Sequence, residues 1–280
     1  MVLSSSLQAS WFLKQHCRAS VATSMSTFAR PTSVEKIPAV SLHVSKPTWW
    51  LESRFHFSFA DYYNPQNNNF GALRVLNDDL VKGNAGFGTH GHRDAEIFSY
   101  VVDGELTHAD SMGNKESLGR GAVQYLSAGS GMRHSEMNDG DETTRFLQIW
   151  ITPDQRGHEP QYGSREYKPE DRHNQLLHLL GGTGTAPTWS NVNSCGQPIT
   201  LHQDVNVYVS ENDGSVAHNI VLGEGRQAYL VAIEGSLDVN GTTLQKRDAA
   251  ELVSGSQEAP LTLTSGSQGC HFMLIEMAAS

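Results

Sequence analysis

Cysteine is scarce, with Cys17, Cys195 and Cys270 the only three in 280 residues, odd in number and far apart. That excludes a disulfide framework and a zinc knuckle, and it fits a reducing compartment. No apolar run approaches the ~20 residues a membrane-spanning helix needs, so no membrane partner is expected. Helical periodicity of useful length is missing from the whole chain. Positive charge is also short: 20 Lys and Arg face 30 Asp and Glu, a net charge of −10. Such a surface repels phosphate backbones and anionic lipid, so nucleic acid is not expected as a direct partner. With 38% apolar residues, fibrous and wholly disordered classes are excluded. At ~100 to 200 residues per domain, the length admits one large β domain or two ordinary ones.

Acidic residues are absent before Glu35, while the first 34 residues hold eight serines and the cations Lys14, Arg18 and Arg30. Residues 1–34 therefore read as a transit peptide for a mitochondrion or plastid, or as a disordered leader, in which case the chain is expected in the cytoplasm or nucleus. Loss of that segment would take the net charge from −10 to −13. Short runs rich in Val, Ile, Phe, Tyr and Thr follow, punctuated by Asp-Gly, Gly-Asn and Ser-Gly turns, and read as many strands. Asp103-Gly104 is expected to close a two-residue hairpin. Ile199, Leu201, Val205, Val207 and Val209 share one parity, as on a strand with one buried face. YVVDGELTHAD and LVAIEGSLDVNG align on Gly104 and Gly235, 131 residues apart, which suggests a diverged repeat of two small barrels or sandwiches.

What stands out is histidine, thirteen in all. In GFGTHGHRDAE, His90 and His92 lie at i and i+2, so on a strand they leave one face ~6.5 Å apart. GMRHSEMN repeats the spacing with His134 and Glu136, 42 residues after His92. Two such pairs on neighbouring strands would offer one centre three imidazoles and one carboxylate. Without a thiolate, that set suits iron(II), manganese, nickel, copper or zinc and leaves positions open on a six-coordinate ion. Glu96 could replace Glu136 as the carboxylate ligand, or orient an imidazole from outside the coordination sphere. His108 has no partner two residues away and reads as a satisfied or exposed histidine. Arg93 and Arg133 have the opposite parity and read as outward salt bridges. Phe87, Phe98 and Tyr125 could wall a pocket, although core is the preferred reading. In the second block, Val221, Gly223 and Gln227 occupy the places of His90, His92 and Glu96, and His202, His218 and His271 read as structural. Acidification below ~6 is expected to release the metal, because the ligating imidazoles must be neutral.

WLESRFHFSFADYYNP, FGALRVLNDD, GFGTHGHRDAEIFSYVVDGELTHADSMGN, GAVQYLSAGSGMRHSEMN and FLQIWITPDQRGHEP closely resemble the pirin family of bicupins. The resemblance implies an all-β fold of two tandem jelly-roll cupin barrels, with a metal-binding cupin over residues 35–158 and a second, metal-free cupin over 159–280. It also implies that His90, His92, His134 and Glu136 hold one divalent metal ion, with iron(II) the first expectation. Gly91 stands where pirins usually have proline, which loosens the pair without removing a ligand. Several pirin-like proteins are quercetin 2,3-dioxygenases, so the expected activity is cleavage of a flavonol with O₂ and release of carbon monoxide, with Glu136 as catalytic base. The alternative is a non-enzymatic, metal-dependent or redox-sensing regulator acting through protein partners such as transcription factors.

Overall fold

A computed structural model describes residues 33–279 apart from 185 and 188. The leader expected over residues 1–34 lies outside the described residues except for Ser33 and Val34. The regular structure of the described chain is all strand apart from two short 3-10 turns at Ala39–Ser41 and Pro169–Asp171. A seven-stranded sheet runs in the order Gln161–Arg165, Val123–Ser127, Glu96–Asp103, Thr144–Ile151, Leu73–Val81, Leu51–Phe55 and His43–Ser45. A four-stranded sheet places Ala85–His92, Met132–Asn138, Leu106–Asp110 and Lys115–Leu118 side by side. Together they form the first cupin. The second is built on a ten-stranded sheet whose centre is Arg226–Val239, Ala259–Ala278 and Val205–Asn212.

The two units exchange edge strands. Ser33–Ile37 pairs with Ala249–Val253 in the second unit, whereas Gln161–Arg165 pairs with Val123–Ser127 in the first. The borders expected at residues 34 and 158 therefore do not coincide with the sheets, because each edge strand crosses to satisfy its backbone hydrogen bonds on the neighbouring unit.

Asp103-Gly104 does not close a hairpin. Glu96–Asp103 pairs with Thr144–Ile151 and Val123–Ser127, while Leu106–Asp110 pairs in the other sheet. Gly104, at φ +77°, is the corner where the chain leaves one sheet for the other, and a Cβ there would lie 2.7 Å from Thr144 Oγ1. Gly235 occupies the comparable place in the second unit, at φ +71° beside register shifts in Arg226–Val239. The alignment of the two glycines reflects a shared corner rather than a shared turn.

Val205–Asn212 has two buried faces instead of one. Val205, Val207 and Val209 join Leu73, Phe98, Tyr100, Leu147 and Ile149 in a core between the seven- and ten-stranded sheets. Tyr208, on the other face, packs with Leu230, Leu263 and Phe272 inside the second cupin. Burial of each large apolar side chain contributes ~1.5–3 kcal/mol, so this inter-unit core is a main source of stability.

A buried ionic cluster sits at the edge of that core. Arg145 Nε lies 2.8 Å from Asp78 Oδ1, Arg247 Nε 2.8 Å from Asp78 Oδ2, and Arg145 Nη2 donates to the Ile233 carbonyl. Burial works to raise the Asp78 pKa, but hydrogen bonding and charge from Arg145, with the charge of Arg247, hold it below the usual carboxylate range. Asp78→Ala would leave two guanidinium groups without their anion and should lower unfolding free energy by about 3–5 kcal/mol in urea titrations. Arg120→Ala, at a partly exposed pair with Glu211 and Glu234, should cost under about 1 kcal/mol.

His56, buried with Nδ1 2.9 Å from Tyr229 Oη, is held down to about 4 by desolvation, against the raising charge of Asp78. The unfolded chain binds that proton near ~6.5, so this contribution is complete above that value and is lost as pH falls toward about 4. Unfolding free energies measured from pH 7 to pH 4 should therefore fall less steeply in His56→Phe than in the parent, and parallel slopes would contradict the assignment.

Candidate metal centre

The four-stranded sheet assembles the imidazoles by register. His134 stands directly opposite His90, and Met132 opposite His92, so three histidines from two adjacent strands face the interior. One donor atom from each of His90, His92 and His134 lies within 4.8 Å of the others, the one such group of three among the described residues. Ring centres are 4.6 Å apart for His90 and His134, and 4.7 Å for His90 and His92. His90 Nδ1 lies 2.8 Å from the Gly88 carbonyl, which leaves Nε2 as its free donor atom. His134 is buried, and neither of its nitrogens has a hydrogen-bond partner.

Burial and the neighbouring imidazoles hold His92 down to about 4 and His134 down to about 3. Both are therefore neutral, as ligation requires, through the range in which a free histidine titrates. Acid release of a metal, expected below ~6 from free-histidine values, moves to lower pH. A buried imidazole with two orphaned nitrogens, beside two further imidazoles, fits one divalent ion.

Glu136 is buried beside this group, not within it. Its Oε1 accepts from Ser99 Oγ at 2.7 Å and from Gln124 Nε2, and its Oε2 accepts from Gln148 Nε2 at 2.8 Å. The expected shared face of His134 and Glu136 is present, as both are buried while Arg133 is exposed, and a register shift falls between them. Gln124, Ser99, Gln148 and Asn77 are successive register partners across four strands of the facing sheet, so they form a polar row. Next to that row, Asp79 is raised to about 8 by burial, with Ser53 hydrogen-bonded to it.

Glu96 does not join the imidazoles. The strand ends at His92, Asp94 takes φ +52°, and Glu96 opens a strand of the other sheet, so the four-residue spacing from His92 does not place the two on one face. Its carboxylate accepts from Tyr125 Oη, Ser127 Oγ at 2.7 Å and the His202 backbone N–H at 3.0 Å, and so ties the two cupins together. Arg93 and Arg133 form no salt bridge among the described residues. Phe98 and Tyr125 belong to the inter-unit core, whereas Phe87 lies edge-on to Trp50 at 5.2 Å and 6.5 Å from His90. Trp150 meets His92 edge-on at 4.8 Å.

The reading of His108 as unpartnered is corrected: its Nε2 lies 3.1 Å from Oδ2 of Asp110, two residues on. It is fully buried, stacks on Tyr162 at 4.2 Å and lies 5.5 Å from His134. The i, i+2 spacing that exposed the other pairs is present here as His-x-Asp and could have found it. Ser99, Gln124 and Gln148 were also missed, because polar residues inside apolar strands carry no motif of their own.

Comparison with known proteins places this geometry. The pirin family description matches residues 39–151, and the quercetinase C-terminal cupin domain matches residues 192–277. A pirin-like protein of Caulobacter vibrioides is 40% identical over 215 residues, 77% of this chain and 88% of that protein. The quercetin 2,3-dioxygenase of Escherichia coli K12 is 36% identical over 202 residues, 71% of this chain and 81% of its own length. The crystal structure of a bacterial pirin from Escherichia coli in complex with nickel(II) superposes with a TM-score of 0.78 at 28% identity, over 89% of this chain and all of that one. Two cupins, an inward-facing group of three histidines and these similarities lead to one assignment: the chain belongs to the pirin family.

Proposed function

We propose that this chain is a metal-dependent flavonol 2,3-dioxygenase, opening the central ring of a quercetin-type substrate with O₂ and releasing carbon monoxide. The observation that carries the reading is the group His90, His92 and His134, with both nitrogens of buried His134 unpartnered. These three residues would hold one divalent ion, iron(II) in the first instance and otherwise manganese, nickel, copper or zinc, with Glu136 beside them as the fourth ligand. When bound, the ion supplies Lewis-acid activation of the flavonol oxygen and a site for O₂.

Glu136 acts as the base. Its Oε2 accepts one hydrogen bond against two on Oε1, so Oε2 keeps the freer lone pair to take the proton of the flavonol 3-hydroxyl. Ser99, Gln124 and Gln148 aim the carboxylate. Phe87 and Trp150, each packed beside a histidine, cover the imidazoles with apolar surface and exclude water. Both atoms of O₂ enter the ring-opened product, and one ring carbon leaves as carbon monoxide. The relatives named quercetin 2,3-dioxygenase support this choice of substrate.

The test is to load purified chain anaerobically with iron(II), add quercetin and then air, and follow flavonol absorbance with carbon monoxide release. Turnover is expected in the parent. His134→Ala should fold, lose most bound metal by elemental analysis and lose at least ~100-fold in rate, about 2.7 kcal/mol. A parent that holds metal and turns over no flavonol would sink the dioxygenase reading and favour the regulator acting through protein partners.

A further inference from the structure

Two buried imidazoles, His134 in the histidine group and His108 beside it, have ring nitrogens without hydrogen-bond partners. His134 has none at Nδ1 or Nε2, and His108 has none at Nδ1. Their ring centres are 5.5 Å apart. Asp110 also accepts from the backbone N–H groups of Met112 and Asn114 and from Asn114 Nδ2, so all four contacts on its carboxylate come from N–H donors. An ionised carboxylate is an acceptor only, so Nε2 of His108 must carry the ring proton. Its Nδ1 is the ring position left without a partner, and the Tyr162 ring, 11° from coplanar, fixes the plane in which it lies.

A histidine that gives one nitrogen to a metal carries its proton on the other, and that N–H is normally held by a carboxylate, carbonyl or water. Asp110 stands directly opposite His134 on the neighbouring strand, but its two oxygens already accept four hydrogen bonds. Oε1 of Glu136 already accepts two. Oε2 of Glu136 accepts from Gln148, whereas His108 Nδ1, on the ring next to His134, has no partner at all.

We propose that Asp110 and His108 form a positioning relay for His134: when one nitrogen of His134 binds the metal, the other donates to His108 Nδ1, whose lone pair Asp110 holds in readiness. This rests on the three histidines holding a metal ion, and not on the identity of the substrate. The relay would orient the His134 ring and raise its basicity as a ligand, while His108 itself touches neither metal nor substrate.

The full chain, metal-free and then loaded with zinc, provides the test. Long-range ¹⁵N–¹H spectra should show His108 protonated at Nε2 alone in both forms, and a hydrogen-bonded N–H on His134 only after loading. His108→Phe keeps a ring against Tyr162 but has no acceptor, and in chelator competition it should bind zinc about 10–100-fold more weakly. Asp110→Asn can donate to Nε2 and drive the proton onto Nδ1, so it should weaken zinc binding with His108 still in place. A merely structural role would lower the melting temperature of the metal-free variants and leave the non-ligating N–H of His134 without a hydrogen-bond signature in the loaded parent. Protonation of His108 Nδ1 in the loaded parent, or parental zinc affinity in a folded His108→Phe, overturns the relay. Should His108→Phe fail to fold, the parent's nitrogen assignments decide alone. Failure of the parent to bind zinc would remove the metal assignment and the relay together, whereas an unaffected His108→Phe removes only the relay.

Discussion

One buried carboxylate joins the sheet that carries the imidazoles to the sheet that faces it. Glu136 projects from the same strand as His134, and its three donors, Ser99, Gln124 and Gln148, all belong to the seven-stranded sheet. An unpaired carboxylate in this interior would be expensive, so the polar row and the acid have to be built together. The same contacts set where Met132–Asn138 lies against its neighbour, and therefore where His134 lies. Asp79 shows the alternative solution a few ångströms of sheet away: with far fewer donors, its carboxyl rises to about 8 and is neutral at physiological pH.

The seven-stranded sheet can carry so much polarity on one face because its other face is apolar. Alternation sends Leu76, Phe98, Tyr100, Leu147 and Ile149 into the core shared with the second cupin, and Asn77, Ser99, Gln124 and Gln148 into the first. The second cupin fills its own interior with Tyr208, Leu230, Leu263, Phe272 and their neighbours. Stability and chemistry are thus divided between faces and between units, and Glu96 and Asp78 stitch the halves where they meet.

Much of this was legible in the sequence, and the limits have physical causes. His-x-His and His-x-Glu could be read because a strand's period of two converts sequence spacing directly into a shared face. Glu96 was misjudged because that conversion fails at a break: one residue at positive φ, Asp94, sends the chain into another sheet. The Asp103-Gly104 corner has the composition of a hairpin turn, and only the pairing partners of the flanking strands distinguish the two. His108 escapes the pattern because its partner two residues on is an aspartate, where the other pairs offer histidine or glutamate. The polar row was invisible, since Gln124, Ser99, Gln148 and Asn77 come together through register alone.

Burial at the histidine group has two consequences that pull against each other. Desolvation keeps His92 and His134 neutral far below the ordinary histidine range, which frees their lone pairs for a cation. It also removes the water that would otherwise satisfy every spare ring nitrogen, so each buried imidazole needs a protein partner for whichever nitrogen does not ligate. His90 has one in the Gly88 carbonyl. His134, the most deeply buried of the three, has none. A site dry enough to keep its ligands unprotonated thus has to supply acceptors from its own side chains, and an imidazole whose tautomer is fixed by a fully engaged aspartate is a group that can accept without also presenting a competing proton.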